Sequence, residues 1–149
     1  MKKIHELLVD RHVYSVQPDM SVHKVVEYMC ARKIGAVAVC SHNKVVGVFS
    51  ERDLMKLVVL KNLDPNTTPV SEVMSEEVVS VHLDDNHSAA RSLMLSRNIR
   101  HLVVLDEDEQ LQGFISMREV IEEDLHESQE LVHKLNDDYY EENFQPDNN

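Results

Sequence analysis

The sequence predicts a mixed α/β (α+β) fold made of two β-α-β-β-α repeats that pack with pseudo-twofold symmetry. Three observations lead there. The chain matches itself at a nearly constant offset, the signature of an internal repeat. Within each copy, strand-like and helix-like hydrophobic periods follow one another in the same order. Neither copy is large enough to bury both faces of a three-stranded sheet and two helices alone, so the two are expected to pack against each other.

The match begins with Arg32, Lys33, Ile34, Gly35, Ala36, Val37, Ala38 and Val39. They align with Arg97, Asn98, Ile99, Arg100, His101, Leu102, Val103 and Val104, 65 positions later. The same offset pairs Val13, Ser15, Val16, Asp19 and Met29 with Val78, Ser80, Val81, Asp84 and Met94. One extra loop residue then shifts the offset to 66, which pairs Gly47 to Asp53 with Gly113 to Glu119, and Ile4, Glu6, Leu7 and Leu8 with Val70, Glu72, Val73 and Met74.

Each copy opens with a short β segment at 13–16 or 78–81. A polar turn follows at 17–19 or 82–85, whose last residues are expected to cap a helix. Val22, Val25, Val26 and Met29, and in the second copy Ala90, Leu93, Met94 and Ile99, recur at helical spacing. Two β-rich runs come next, 36–40 with 45–49 and 102–105 with 111–115, each pair read as a hairpin around a polar turn. A second helix starts at Ser50 or Ser116. The expected organisation is a first repeat over residues 4–62, a linker over 63–69 bearing Pro65 and Pro69, and a second repeat over 70–125. Residues 126–149 are expected to form a helical extension and then, from 136, an acidic disordered tail. Tyr139, Tyr140 and Phe144 in that tail are candidates for docking on a partner.

The 149 residues carry a net charge of −12 with 42% hydrophobic residues, an apolar share that supports a packed core. Apolar runs such as 57–60 are far too short to span a bilayer. Lys2 and Lys3 are followed at once by His5 and Glu6, so no secretory core is expected and a cytoplasmic location is. The negative charge disfavours nucleic acid and anionic membranes as partners. It is unevenly spread, however. From Glu122 onward there are ten acids and one base, which leaves 17 acids and 14 bases, a net of −3, in the repeats. A local basic cleft for one small anion remains possible within them. Cys30 and Cys40 have neither C-x-x-C spacing nor a disulfide pattern, and their apolar neighbours suggest small buried hydrophobes.

The chemistry concentrates where a strand ends and a helix begins, at Gly47-Val48-Phe49-Ser50-Glu51-Arg52-Asp53 and Gly113-Phe114-Ile115-Ser116-Met117-Arg118-Glu119. One isolated Ser-x-x-Asp or Ser-x-x-Glu is a helix capping box. Here both copies also place a glycine three residues before the serine, which in a strand often marks close approach by a ligand or another backbone. Both place an arginine before the acid, which capping does not require. A helix N-terminus favours phosphate, a carboxylate can hold the two hydroxyls of a ribose, and arginine adds bidentate phosphate recognition. Together these groups point to a nucleotide.

These segments resemble the Gly-h-h-Ser/Thr-x-x-Asp signature of the CBS (cystathionine-β-synthase) domain family in its tandem form, the Bateman module. Ile99-Arg100-His101-Leu102-Val103-Val104-Leu105-Asp106 and Val70-Ser71-Glu72-Val73-Met74 are similar to two further stretches of that family. The resemblance covers residues 4–125 and is to small stand-alone bacterial members. It implies two clefts that take adenosyl ligands such as AMP, ADP, ATP, NAD(H) or S-adenosylmethionine as regulatory signals, with no required cofactor and no catalysis. In the first cleft it implies that Asp53 holds the ribose and Ser50 supports the sugar or phosphate. Val16, Gly35, Ala36 and Val37 would flank the adenine, and Arg100 and Arg118 would meet the phosphates from the other copy. The second cleft would use Ser116 and Glu119, with Arg52 crossing back, and His101 would sit near the nucleotide.

Glu119 stands where the family has Asp, Gly35 where the other copy has Arg100, and Val103 where the family has proline, so the first cleft is the expected site. The resemblance also implies a homodimer, for which Met55, Leu57, Leu125 and Val132 offer apolar surface, and an unidentified effector protein downstream. The alternative function is a ligand-free dimerisation or interaction module that keeps the signature only as helix caps. A metal-dependent enzyme is a third class. His126, Glu130 and His133 share a helix face, but the spacing lacks an H-E-x-x-H or a cysteine partner, so no metal site is expected.

Overall fold

The computed structural model describes residues 1–8 and 12–143. The first sheet has the order β1 (Ser15–Val16), β2 (Ala36–Ser41), β3 (Lys44–Ser50), and the second β4 (Ser80–His82), β5 (His101–Leu105), β6 (Leu111–Ser116). In both, the short first strand runs parallel to the second and the second antiparallel to the third. The internal repeat is exact at the level of register. Ser15 lies opposite Ala38 and Ser80 opposite Val103, and a bulge falls after Val39 in one copy and after Val104 in the other.

The helices follow from local chemistry. α2 (Val22–Arg32) buries Val22, Val25 and Met29, and α4 (His87–Arg97) buries His87, Ala90 and Met94. Both stop at a residue in the left-handed region, Lys33 (φ 55°) and Asn98 (φ 52°), whose amides close the last turn. They start later than the turn residues suggest, with Ser21 and Asn86 at the N-caps. Asp85 is occupied elsewhere, its Oδ2 accepting from His82 N at 2.8 Å. The β2–β3 turn holds His42 and Asn43 at φ 51° and 64°, the pair of left-handed residues that a two-residue hairpin turn demands. The helix after β3 begins as α3 (Glu51–Asp53) and widens to π geometry over Leu54–Val59, with Leu60 N donating to Met55 O at 3.0 Å.

The lead-in segments are exchanged between copies. α1 (Ile4–Leu7) precedes the first repeat, yet Ile4 N donates to Asp85 O at 2.8 Å and His5 N to Leu83 O at 3.0 Å. Ile4 is fully buried among Val81, Ala90, Met94, Leu102, Val104, Ile115 and Val120, all from the second repeat. Reciprocally, the turn Val70–Glu72 buries Val70 in the first repeat's core with Val16, Val22, Val25 and Phe49, and Val70 N donates to Met20 O at 2.8 Å. Residues 63–69 are fixed against α2 by Val22 N to Thr68 O and His23 N to Pro65 O, both 2.9 Å. The sequence boundaries at 62 and 70 therefore do not bound the spatial units.

Two expectations are corrected. Cys30 is exposed and Cys40 half-buried, because Cys30 follows the buried Met29 by one residue and so turns about 100° away from the core. Residues 136–143 are helical rather than loose, since α5 runs unbroken over Met117–Asn143. No glycine or proline interrupts it, and the (i, i+4) pairs His126–Glu130 and His133–Asp137 tie successive turns. The rest of the expected tail, including Phe144, lies outside the described residues. Among the described residues, no helix is long and apolar enough to cross a membrane.

Gly47 shows why the signature needs a glycine. Val48 and Ser75 exchange backbone hydrogen bonds of 2.9 and 2.8 Å, which brings the second lead-in across β3. A Cβ on Gly47 would sit 2.4 Å from Met74 Sδ and 3.0 Å from the Ser75 carbonyl oxygen. The close approach is by the Met74 side chain and the Ser75 backbone together, and Gly113, at φ 155° against the Leu8 side chain, is its counterpart. Gly47→Ala should therefore cost ~1–3 kcal/mol by overpacking. Gly35→Ala, which meets only the flexible Glu51 carboxylate at 3.3 Å, should cost under ~1 kcal/mol. Urea unfolding of the two variants checks the contrast.

Candidate functional site

The exchange brings the start of α3 in one copy against the lead-in and second strand of the other. Two neighbouring clefts result. The first encloses about 320 Å³ between Val48, Ser50, Arg52 and Asp53 of the first repeat and Ser75, Glu77, Val79, Ile99, Arg100 and Val103 of the second. The second encloses about 450 Å³ between Gly113, Ser116 and Glu119 and the opposite group Leu8, His12, Tyr14, Lys33 and Ile34. Gly35, Ala36, His101 and Phe114 line both. Both volumes fall in the range of small-molecule sites, about 300–1,000 Å³.

In the first cleft the capping box is fully made. Asp53 Oδ2 accepts from Ser50 N at 2.9 Å and from Ser50 Oγ at 3.0 Å, while Asp53 N donates to Ser50 Oγ at 3.3 Å. All these contacts to the carboxylate fall on Oδ2. A carboxylate has about four acceptor positions, so capping leaves Oδ1 able to accept more. Arg100 lines the same cleft from the other repeat, and among the described residues neither Arg100 nor Arg52 forms an ion pair. Glu77 is matched by Arg97 at 2.9 Å. In the second cleft Ser116 N donates to Glu119 Oε2 at 3.1 Å and Glu119 N to Ser116 Oγ at 3.2 Å, so the longer acid still closes its box.

The structure gathers Ser50, Asp53, Arg100, His101, Gly35 and Ala36 in one cleft and Ser116, Glu119 and His101 in the next. It separates four residues from their expected places. Val16 and Val37 are 3% and 0% exposed in the first core and line neither cleft, because the exchanged Ser75–Val79 stretch takes the wall foreseen for them. Arg118 is 87% exposed and lines neither, its Nε donating to Glu122 Oε1 at 3.1 Å one helical turn on. Arg52 lines the cleft of its own Asp53 instead of crossing back. Sequence reasoning missed Lys33, His12 and Tyr14, which supply a cation and two rings to the second cleft. His12 and Tyr14 correspond at the 65-residue offset to Glu77 and Val79, which line the first cleft, whereas Lys33 corresponds to Asn98, which lines neither, so the repeat pointed to the two rings and not to the cation.

His126 and His133 pair separately with Glu130 (3.1 Å) and Asp137 (3.7 Å) on exposed helix surface and do not converge. A different group, His87, Asp124 and Glu127, does converge. His87 Nδ1 bonds the Lys2 carbonyl and Nε2 lies 3.0 Å from Asp124 Oδ1, which fastens the exchanged lead-in to α4 and α5. Arg91 and the Met1 amine already match these acids, and hydrogen bonds from Arg91 and His87 hold the Asp124 carboxyl below its usual range against a desolvation effect that would raise it. Burial pushes the Cys40 thiol up, which does not suit a nucleophile.

The CBS-domain family profile matches residues 4–60 and 70–126. The chain belongs to the CBS-domain family. An uncharacterized 17.7 kDa protein of Acidianus ambivalens is 30% identical over 109 residues, which is 72% of this chain and 65% of that one. Two further archaeal relatives, from Methanocaldococcus jannaschii and Methanopyrus kandleri, are matched over only 36% and 58% of their own lengths. A CBS domain protein from Pyrobaculum aerophilum complexed with AMP superposes with a TM-score of 0.71 at 26% identity, over 79% of this chain and 89% of that one. CBSX2 in complex with AMP superposes with a TM-score of 0.71 at 25% identity, over 86% and 99%.

His101, shared by both CBS clefts, has its pKa lowered by burial and by Arg100, with Glu119 and Glu51 opposing. The folded protein therefore binds fewer protons at this ring than the unfolded chain does as pH falls below about 6.5. The stability it contributes is complete above that pH and is lost as the pH drops toward the lower folded value. His101→Asn should lose less melting temperature between pH 7.5 and 5.5 than the parent does. Equal losses would show that His101 is not an acid-sensitive group.

Proposed function

We propose that this CBS pair is a cytoplasmic regulatory module that binds an adenine nucleotide in the first cleft. The observation that carries the reading is the Asp53 carboxylate, whose Oδ2 caps the helix and leaves Oδ1 able to accept, in a cleft that Arg100 of the other repeat also lines. A ribose hydroxyl needs an acceptor and a phosphate suits a guanidinium; here each comes from a different repeat. The apolar rim formed by Val79, Ile99 and Val103 suits a base. The related proteins solved with AMP support this ligand class, which also includes ADP, ATP, NAD(H) and S-adenosylmethionine. A nucleotide that touches both repeats favours the packing that fits it, and this differential affinity is what an effector protein would read.

A homodimer fits the same surface logic. Met55 and Val59 correspond at the 66-residue offset to Ile121 and Leu125, and all four are more than half exposed. Leu57 does not belong to this face, being half-buried against the first core. The second reading, a ligand-free interaction module, draws on the completed capping boxes, which give Ser50, Asp53, Ser116 and Glu119 a structural role without any ligand.

The two readings separate by thermal shift. AMP, ADP, ATP, NADH or S-adenosylmethionine at a hundredfold excess over its dissociation constant should stabilise the protein by about 2.7 kcal/mol. Arg100→Ala should weaken a phosphate-bearing ligand by about ten- to a hundredfold in titration calorimetry. Asp53→Ala should abolish the shift after its own capping cost of about 1 kcal/mol is allowed for. No shift with any ligand would favour the interaction module, and a shift unchanged in both variants would place the ligand elsewhere.

A further inference from the structure

We propose that the outer part of α5 pairs in parallel with α5 of a second copy of this chain as a short two-stranded coiled coil. The proposal is independent of nucleotide binding. Every residue over 128–143 is exposed, and about four turns of α5 lie outside both hydrophobic cores of the described residues. Helices in proteins draw most of their stability from tertiary packing of one face. The spacing of Ile121, Leu125, Ser128, Val132, Leu135 and Tyr139 advances by 4, 3, 4, 3 and 4, the 3.5-residue period of a coiled-coil seam. The five large residues in it are 54–59% exposed. The body anchors the first turns of α5 through Val120 and Glu123, so the seam does not have to nucleate its own helix.

Charge selects the occupant and its direction. α5 is strongly acidic, yet Glu123, Glu130 and Asp137 fall opposite the seam. Over the seam from Ile121 to Tyr139 a parallel pair meets at its flanking positions as Asp124 with Gln129 and Leu131 with Asn136, with no like charges facing; the next seam position, Glu142, would face itself, so the pairing stops at Tyr139. An antiparallel pair centred on Leu131 would set Asp124 against Asp138 twice. A basic partner helix would find no acids beside the seam to pair with beyond Glu122, Asp124 and Asp138, and Asp124 is already held by Arg91. A second copy satisfies the seam without such a partner.

Ser128 tests this directly, because in a parallel pair it lies across from itself within disulfide reach. With the exposed Cys30 replaced by serine in the full chain, Ser128→Cys should oxidise to a covalent dimer at least tenfold faster than Glu130→Cys on the outer face. Adding Val132→Glu and Leu135→Glu should remove that advantage while leaving the urea midpoint of the body unchanged, since both positions are exposed. Equal crosslinking at 128 and 130, crosslinking at 128 that survives the double glutamate change, or a dimer in sedimentation with no crosslink at 128 would each overturn the proposal.

Discussion

The exchange of lead-in segments is the constraint on which the rest of the molecule depends. Ile4 fills the second core and Val70 and Val73 fill the first, so neither repeat completes its hydrophobic interior without the other. Burying a Val or Ile side chain stabilises by about 1.5–3 kcal/mol, and both cores draw this from outside their own sequence repeat. The same crossing lays Met74 and Ser75 beside β3, forces glycine at position 47, and brings Ser75, Glu77 and Val79 of the second repeat to the cleft of the first repeat's Ser50–Asp53 turn. The clefts are composite because the cores are.

Symmetry of fold does not carry through to symmetry of chemistry. The register, the bulges, the left-handed helix ends and the capping boxes repeat in both copies. The cleft walls do not. Where Arg100 reaches the first cleft, Gly35 leaves the second with Lys33 as its cation, and Glu119 sets its carboxylate one methylene further out than Asp53. His101 stands at the shared wall, with Glu51 and Glu119 both acting on its charge, so the two clefts are electrostatic neighbours. Physical differences of this size make the clefts unequal in charge and in the reach of their carboxylates.

The repeat, its β-α-β-β-α order and the two capping-box motifs were legible in the sequence, because hydrophobic period and spacing are local properties. Val22, Val25 and Met29 announced α2, and Ser50 with Asp53 announced the turn that forms the cleft. What was not legible was crossing. Nothing local to Ile4 says that it belongs with Val81 and Met94, and without that knowledge Val16 and Val37 looked like cleft walls when they are core. Arg118 misled for a different reason, since its side chain finds Glu122 one turn away before it finds a cleft. The length of α5 was underestimated because an acidic, polar segment reads as disorder when its (i, i+4) pairing is weighed too lightly against its composition.

In the proposed function one ligand is held by residues of both repeats at once. Titrating isotope-labelled protein with AMP and following backbone amide resonances tests this most directly. Ser50 and Asp53 from the first repeat and Ile99 and Arg100 from the second should shift together along a single binding curve. Shifts confined to one repeat, or two groups following different curves, would contradict a composite cleft.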